Sequence, residues 1–146
     1  ANGQLYNADG YMLMGDYVTI DEAGYLTVVG RKSDFIIRGG KNISAPQVEA
    51  EVAAHPAVDL AAVIAAPDPL FGERVCAVVT TRDEGSLTLS ELCTFLEQRG
   101  VSKELFPEYL AVVDEMPTAS GGKIGKGALR DRVQAVVYAY RNGLAV

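Results

Sequence analysis

The stretch PTASGGKIGKGALR, residues 117–130, runs from a glycine-rich loop into a helical pattern. Gly121 and Gly122 stand directly before Lys123. Glycine lets the backbone adopt positive φ angles and approach a ligand closely, and the lysine ammonium offers three donors that suit phosphate and carboxylate oxygens. The stretch therefore predicts an anion-binding loop that leads into a final helix over about residues 126–140.

The basic residues of the chain are concentrated in two glycine-containing segments. The 146 residues carry 13 Lys and Arg against 19 Asp and Glu, which gives a formal net charge of −6. Residues 117–132 nevertheless contain four basic residues and one acid, and so do residues 30–43. Two cationic segments on an acidic body favour a small anionic ligand over a nucleic acid, and the overall acidity also argues against a membrane-surface protein.

The remaining composition predicts a cytoplasmic globular protein. Cys76 and Cys93 lie in apolar segments without metal-ligand spacing, so we interpret both as reduced core residues and expect no metal site. The longest apolar runs, such as residues 60–66, are too short to cross a bilayer. The chain also opens without a secretory signal pattern.

Turn and strand patterns predict two β-hairpins in the first third of the chain. Residues 15–30 alternate around a turn at residues 21–24. Residues 35–43 form two short β-prone runs around Gly39 and Gly40, which is a signal for a tight turn. The polar join between the hairpins is typical of a domain boundary or hinge.

The rest of the chain predicts a small α+β domain. Ser44 and Thr88 are expected to cap two helices, over residues 44–54 and from residue 88 to residue 100. Strands are expected at residues 57–65, 74–81 and 109–114. The predicted fold is therefore a three-stranded sheet flanked by helices and preceded by β-hairpins.

Three ordered motifs stand out in the chain: YMLMGD (residues 11–16), GRKSDFIIRGGKNIS (residues 30–44) and PTASGGKIGKGALR. Together they resemble the C-terminal part of the adenylate-forming superfamily, which includes acyl- and aryl-CoA synthetases, non-ribosomal peptide synthetase adenylation domains and firefly luciferase. The resemblance implies that residues 1–32 are the tail of a larger N-terminal adenylation domain. Residues 33–146 would be the mobile C-terminal lid domain.

The resemblance also implies a reaction and its partners. An ATP-dependent acyl- or aryl-CoA ligase first makes an acyl-adenylate from a small carboxylic acid and then passes the acyl group to coenzyme A (CoA). ATP and its Mg²⁺ would be bound mainly by the N-terminal adenylation domain of the same polypeptide. The chain alone is therefore expected to be inactive.

Individual residues receive roles from the matching motifs. Lys123 would bridge the substrate carboxylate and the α-phosphate during adenylation. Asp16 would accept hydrogen bonds from the ribose hydroxyls, and Arg31 would face the nucleotide. Ser33 matches the hinge position, and the glycine pair at residues 39–40 would line the path of the pantetheine arm.

The match has two departures. Leu13 and Met14 stand where the superfamily has a basic residue and a threonine, so Asp16 lacks its usual polar neighbours. Ser33 stands where the hinge is usually Asp or Lys, and a serine cannot make the same charged contacts in two orientations of the lid.

Several alternatives stay open. The acceptor could be the pantetheine of a carrier protein instead of CoA, or the chain could be a free-standing anion-binding module. Arg31 could pair with a nearby acid, and Asp16 could be a simple turn residue. Lys126 could be a solvated lysine at the start of a helix, and His55 is interpreted as structural.

Overall fold

The computed structural model describes residues 6–12, 14–82 and 87–143. The chain divides into two compact units, Ala1–Phe35 and Ile36–Val146. The predicted domain boundary, between residues 32 and 33, stays a prediction. Leu13, one of the two departures from the superfamily motif, lies outside the described residues.

The first unit contains an antiparallel hairpin of β1 (Asp16–Ile20) and β2 (Leu26–Arg31). Asp21 closes its turn, because its Oδ1 atom accepts hydrogen bonds from the backbone N–H groups of Ala23 (3.0 Å) and Tyr25 (2.9 Å). The first predicted hairpin is therefore present. Most of its apolar side chains are exposed, including those of Ile20, Tyr25, Leu26, Val28 and Val29.

The second unit is built on a five-stranded sheet. Its strands are β3 (Phe35–Arg38), β4 (Lys41–Ser44), β5 (Val58–Asp68), β6 (Gly72–Thr81) and β7 (Tyr109–Val112). The strand order is β4-β3-β6-β5, with β7 also paired to β6. The α+β class is confirmed, and the three predicted strands correspond to β5, β6 and β7. The sheet has five strands because the second hairpin joins its edge.

The pairing pattern places the β3–β4 turn at one end of β6. Strands β5 and β6 pair antiparallel along their whole length, and β7 runs parallel to β6 from Cys76↔Tyr109 to Val79↔Val112. Strand β3 meets β6 at the Arg38↔Gly72 pair. The turn of the second hairpin therefore lies beside the loop that joins β5 to β6.

In the part of the chain that the structure describes, three α-helices cover the sheet: α1 (Ala45–Ala53), α2 (Leu89–Gln98) and α3 (Lys126–Arg141). Alternate residues along a strand face opposite sides. Val75, Ala77 and Val79 share a core cluster with residues of α1 and α2, while Cys76 and Val78 share the other cluster with α3. Within the described residues, no helix is long and apolar enough to span a membrane.

The predicted helix caps are observed. The Ser44 hydroxyl accepts a hydrogen bond from the Gln47 N–H at 3.4 Å. Thr88 and Glu91 form a reciprocal capping box, in which the Thr88 N–H donates to Glu91 Oε2 (2.9 Å) and the Glu91 N–H donates to Thr88 Oγ1 (3.2 Å). The Thr88 N–H and the Thr88 hydroxyl (2.7 Å) both donate to Glu91 Oε2, and these two hydrogen bonds lower the pKa of Glu91.

The two cysteines are free thiols. Cys76 is fully buried, and burial raises its pKa to about 12. Cys93 is partly buried, and burial raises its pKa as well. Both thiols are therefore less acidic than an exposed cysteine.

Candidate functional site

The lysine of the glycine-rich loop lies in a short hairpin-like turn that precedes α3. Thr118 and Ile124 form an isolated antiparallel bridge. Inside this bridge, the Ala119 N–H donates to the Lys123 carbonyl at 2.7 Å. Gly121 and Gly122, between them, have φ angles of +80° and +74°. These angles favour glycine, because a side chain would be strained there.

The side chain of Lys123 is available to a ligand. The residue is exposed, and no ion pair of Lys123 occurs within the part of the chain that the structure describes. The loop borders an open pocket of about 440 Å³, which Thr118, Gly122 and Lys123 line together with Asp114 and Glu115. Among the described residues, the Lys123 ammonium thus forms no ion pair, and it lies at the edge of a pocket that Asp59, Asp114 and Glu115 also line.

Lys126 is used differently from Lys123, although only two residues separate them. Its ammonium pairs with Glu49 of α1 at 2.5 Å, and 34% of the Lys126 side chain is exposed. The same Glu49 oxygen accepts the Val63 N–H of β5 at 2.7 Å. Lys126 therefore links the start of α3 to α1 and β5, and it is not the freely solvated lysine that the sequence allowed.

Asp16 and Arg31 lie opposite each other across β1 and β2. Arg31 Nε is 3.6 Å from Asp16 Oδ1, with 74% of the arginine side chain and 23% of the aspartate side chain exposed. The predicted pairing of Arg31 with a nearby acid is therefore observed. An ion pair this exposed is weak, so both groups retain capacity for a ligand.

Ser33 belongs to a single 3₁₀ turn, Lys32–Asp34, between β2 and β3. The residue is exposed, and its hydroxyl lies 3.4 Å from Asp34 Oδ1. The break between the two compact units follows shortly after, at Phe35. The role of Ser33 as a hinge stays a prediction.

The predicted glycine turn joins β3 to β4. Gly39 and Gly40 have φ angles of +57° and +83°. A Cβ atom on Gly39 would lie 3.2 Å from Cδ1 of Phe71, whereas a Cβ on Gly40 would meet open space. Gly39 is required both by its backbone angle and by the neighbouring ring, and Gly40 is required by its backbone angle.

Two acids that the sequence did not single out hold the flanks of this turn. Arg38 Nη1 pairs with Glu108 Oε1 at 2.5 Å, and Arg38 Nη2 donates to the Glu104 carbonyl at 2.7 Å. Lys41 pairs with the carboxylate of Glu104. The partners are 63 and 70 positions apart in sequence, so no local pattern indicates them.

A family model named "AMP-binding enzyme C-terminal domain" matches residues 47–123, more than half of the chain. The chain belongs to this family. The match ends at Lys123, while Asp16, Arg31, Ser33 and the glycine turn precede it. The resemblance to the adenylate-forming superfamily, first seen in three motifs, is confirmed.

Curated relatives of this C-terminal domain include two kinds of ligase. The chain is 42% identical over 131 residues to the vibriobactin-specific 2,3-dihydroxybenzoate-AMP ligase of Vibrio cholerae serotype O1, covering 90% of this chain and 24% of the relative. It is 42% identical over 123 residues to the medium-chain fatty-acid–CoA ligase of Escherichia coli strain K12, covering 84% of this chain and 22% of the relative.

Solved structures also contain this C-terminal domain. The ATP-bound crystal structure of MatB from Rhodopseudomonas palustris matches with a TM-score of 0.72 and 32% identity, over 89% of this chain and 26% of that one. The chain thus spans about a quarter of the length of the proteins it matches.

Proposed function

We propose that this chain is the C-terminal lid domain of an ATP-dependent ligase that joins a carboxylic acid to a pantetheine thiol. In the first half-reaction, the carboxylate attacks the α-phosphate of ATP, which forms an acyl-adenylate and releases pyrophosphate. In the second, the thiol attacks the acyl carbon and AMP leaves. The chain spans about a quarter of its relatives, so we expect it to be inactive without an N-terminal adenylation domain.

The observation that carries this proposal is the exposed side chain of Lys123 in the glycine-rich loop. The Lys123 side chain forms no ion pair with a described acid, so it is available to an incoming anionic ligand. Attack at the α-phosphate increases negative charge on the phosphate oxygens, and a fixed positive charge stabilises such a transition state. A lysine on a mobile lid can supply this charge when the lid closes.

The other site residues have supporting roles in the proposal. The Asp16 carboxylate would accept hydrogen bonds from the ribose hydroxyls, and Arg31 would direct its free N–H groups to the nucleotide. Ser33 would change its backbone angles as the lid rotates between the two half-reactions. Gly39 and Gly40 would then line the pantetheine path, where a side chain would obstruct a narrow tunnel.

Within the described ranges, no three His, Cys, Asp or Glu side chains are grouped so that they could hold a metal ion such as Mg²⁺. In the proposed enzyme, the Mg²⁺ that accompanies ATP would be held by the N-terminal domain. We assign no step of the reaction to a metal bound by this chain.

We propose CoA as the acceptor, with carrier-protein pantetheine as the alternative. By resemblance, the GRKSDFIIRGGKNIS motif (residues 30–44) looks more like the CoA-ligase versions of the superfamily, which is our reason for proposing CoA. The alternative is favoured by relatives whose names specify an aryl-AMP product, such as the 2,3-dihydroxybenzoate-AMP ligase of Bacillus subtilis at 38% identity. Both acceptors present the same pantetheine thiol.

The test uses the full-length polypeptide that contains this chain, with ATP and a panel of carboxylic acids. AMP release and pyrophosphate exchange are measured alone, with CoA and with a pantetheine-bearing carrier protein. AMP release that rises with CoA and yields a thioester supports the ligase. Pyrophosphate exchange that is unaffected by CoA, together with acyl transfer to the carrier protein, supports the alternative acceptor. A complete lack of acid-dependent activity contradicts the proposal and favours an anion-binding module.

A further inference from the structure

The loop between β5 and β6 is organised by one carboxylate. Asp68 Oδ1 accepts hydrogen bonds from the N–H groups of Leu70 (3.0 Å) and Phe71 (2.9 Å). The side chain is 8% exposed. The hydrogen bond from the Phe71 N–H, followed by that from Arg74, lowers the pKa of Asp68 to about 2, so the group is ionised at neutral pH.

The second oxygen of Asp68 holds two arginines. Arg74 Nε donates to Asp68 Oδ2 at 2.8 Å, and Arg141 Nη2, at the end of α3, lies 3.3 Å from the same atom. The Arg74 guanidinium also sits 4.7 Å from the centroid of the Phe71 ring. Asp68 therefore holds the backbone N–H of Phe71 directly, and it holds Arg74, whose guanidinium contacts the Phe71 ring.

Phe71 in turn contacts the glycine turn between β3 and β4. Its carbonyl accepts the Gly39 N–H at 2.8 Å. Its Cδ1 atom lies 3.2 Å from the position that a Cβ of Gly39 would occupy. The adjacent residues Arg38 and Gly72 form the pair that joins β3 to β6. The loop that Asp68 organises thus contacts the turn at Gly39 itself, whereas Glu104 and Glu108 hold the flanks of the turn.

We propose that Asp68 is a positioning residue for the thiol-transfer half-reaction, acting through Phe71 on the Gly39 backbone. This inference rests on the proposed function, in which the glycine turn lines the pantetheine path. In that proposed function, the pantetheine path serves thiol transfer and not adenylation. Removing the carboxylate should therefore slow transfer and spare adenylation, because misplacing a positioning group affects only the step that uses it.

The kinetic test compares variants of the full-length enzyme. Asp68→Ala removes both the backbone hydrogen bonds and the charge, whereas Asp68→Asn can still accept from Leu70 and Phe71. We expect kcat for thioester formation from preformed acyl-adenylate to fall about tenfold in Asp68→Ala and about threefold in Asp68→Asn, since small displacements cost such factors. Pyrophosphate exchange should stay within about twofold of the wild type in both variants.

Two further variants serve as controls. Glu51→Gln breaks another carboxylate–arginine pair of this unit, with Arg99 at 3.2 Å, and should leave both half-reactions unchanged. Arg141→Ala removes the contact from α3 to Asp68 while the hydrogen bonds to Leu70 and Phe71 remain. It should lower the unfolding temperature without slowing transfer, which separates positioning from general stability.

A direct measurement of the turn does not depend on activity. The Gly39 N–H is held by the Phe71 carbonyl, so its hydrogen exchange reports the contact between loop and turn. We expect exchange of this amide to be about tenfold faster in Asp68→Ala than in Glu51→Gln. Unchanged exchange would overturn the inference even if the kinetics changed.

The kinetic results can also overturn the positioning role of Asp68. Equal loss of adenylation and transfer in Asp68→Ala, or the same transfer rate as in Glu51→Gln, would overturn the positioning role. Either result leaves the proposed ligase intact, because the wild type would still carry out both half-reactions. A wild type that makes no acyl-adenylate overturns the ligase and the positioning role together.

Discussion

The hairpin segment (residues 30–43) and the lysine segment (residues 117–132) each contain four basic residues and one acid. In the hairpin segment, three of the four basic side chains form ion pairs with described acids: Arg31 with Asp16, Arg38 with Glu108 and Lys41 with Glu104. In the lysine segment, the ion pair found among the described residues is that of Lys126 with Glu49.

The difference shows that formal charge does not locate a ligand site by itself. An ion-paired arginine has already satisfied part of its charge, so its attraction for an external anion is reduced. Most of the basic side chains of the hairpin segment are therefore engaged in ion pairs within the chain. In the lysine segment, Lys123 forms no ion pair with any acid that the structure describes, and it is there that we place the charge for catalysis.

The largest effect is expected from a comparison of two lysines in the lysine segment, Lys123 and Lys126. In the full-length enzyme, Lys123→Ala should reduce acyl-adenylate formation by about two to three orders of magnitude, which is typical for the loss of a group that stabilises developing charge. Thioester formation from supplied acyl-adenylate should largely survive. Pyrophosphate exchange and single-turnover transfer measure the two steps separately.

Lys126→Ala is the matched control for this experiment. It removes a paired lysine, so we expect adenylation to change by less than about threefold and the free energy of unfolding to fall by about 1 kcal/mol. If the two variants lose adenylation to the same extent, the distinction between free and paired lysines is wrong. Equal loss of both half-reactions in Lys123→Ala would contradict its assigned role.

A smaller effect is expected within the hairpin segment. Arg38 and Glu108 are only 17% and 23% exposed, so Arg38→Ala leaves a partly buried carboxylate without its cation. We expect the free energy of unfolding to fall by about 2 kcal/mol, because breaking a desolvated pair costs more than breaking an exposed one. Urea denaturation of the chain measures this value.

Lys41→Ala is the comparison for Arg38→Ala. The Lys41 and Glu104 side chains are 62% and 61% exposed, so solvent screens their pair and its loss should matter less. A larger loss of stability in Lys41→Ala than in Arg38→Ala would show that burial does not control the strength of these ion pairs.

The smallest expected effect concerns pH. The hydrogen bond from Lys41 lowers the pKa of Glu104 below its usual value of 4.5. A lowered pKa in the folded state stabilises the fold above about pH 4.5, and this contribution is lost as the pH falls through the folded pKa. Glu104→Gln should therefore have a lower unfolding temperature than the wild type at neutral pH, and the difference should shrink on acidification.

Thermal unfolding from pH 7 to pH 3, at low ionic strength, checks this prediction. Low salt is needed because the pair is exposed and would be screened. A difference between the two proteins that is constant over this range would mean that the charge of Glu104 does not contribute to stability.

Features that depend on neighbours in sequence could be predicted for this fold. The caps at Ser44 and Thr88 depend on residues three positions away, and both are observed. The turn at Gly39 was also predicted, since glycine pairs favour positive φ angles. The attachment of the second hairpin to β6 could not be predicted, because strand pairing across long separations has no local signal.

The candidate site also combines features that have a local sequence signal with contacts that have none. The loop of Lys123 could be predicted from the glycine pair that precedes the lysine. The acids that neutralise Arg38 and Lys41, and the link from Lys126 to Glu49, join residues that are distant in sequence. The hydrogen bonds of Asp68 have a local signal, because an aspartate often caps N–H groups two and three positions later, but the contact from Phe71 to Gly39 does not.

Cys76 should react very slowly with alkylating reagents while the chain is folded. The thiolate is the reactive form, and the complete burial of Cys76 disfavours it. Modification of Cys76 therefore requires the sheet to open, so its rate reports how often that opening occurs. A thiol-reactive dye, used to follow consumption of CoA by the enzyme, would therefore receive little background signal from Cys76.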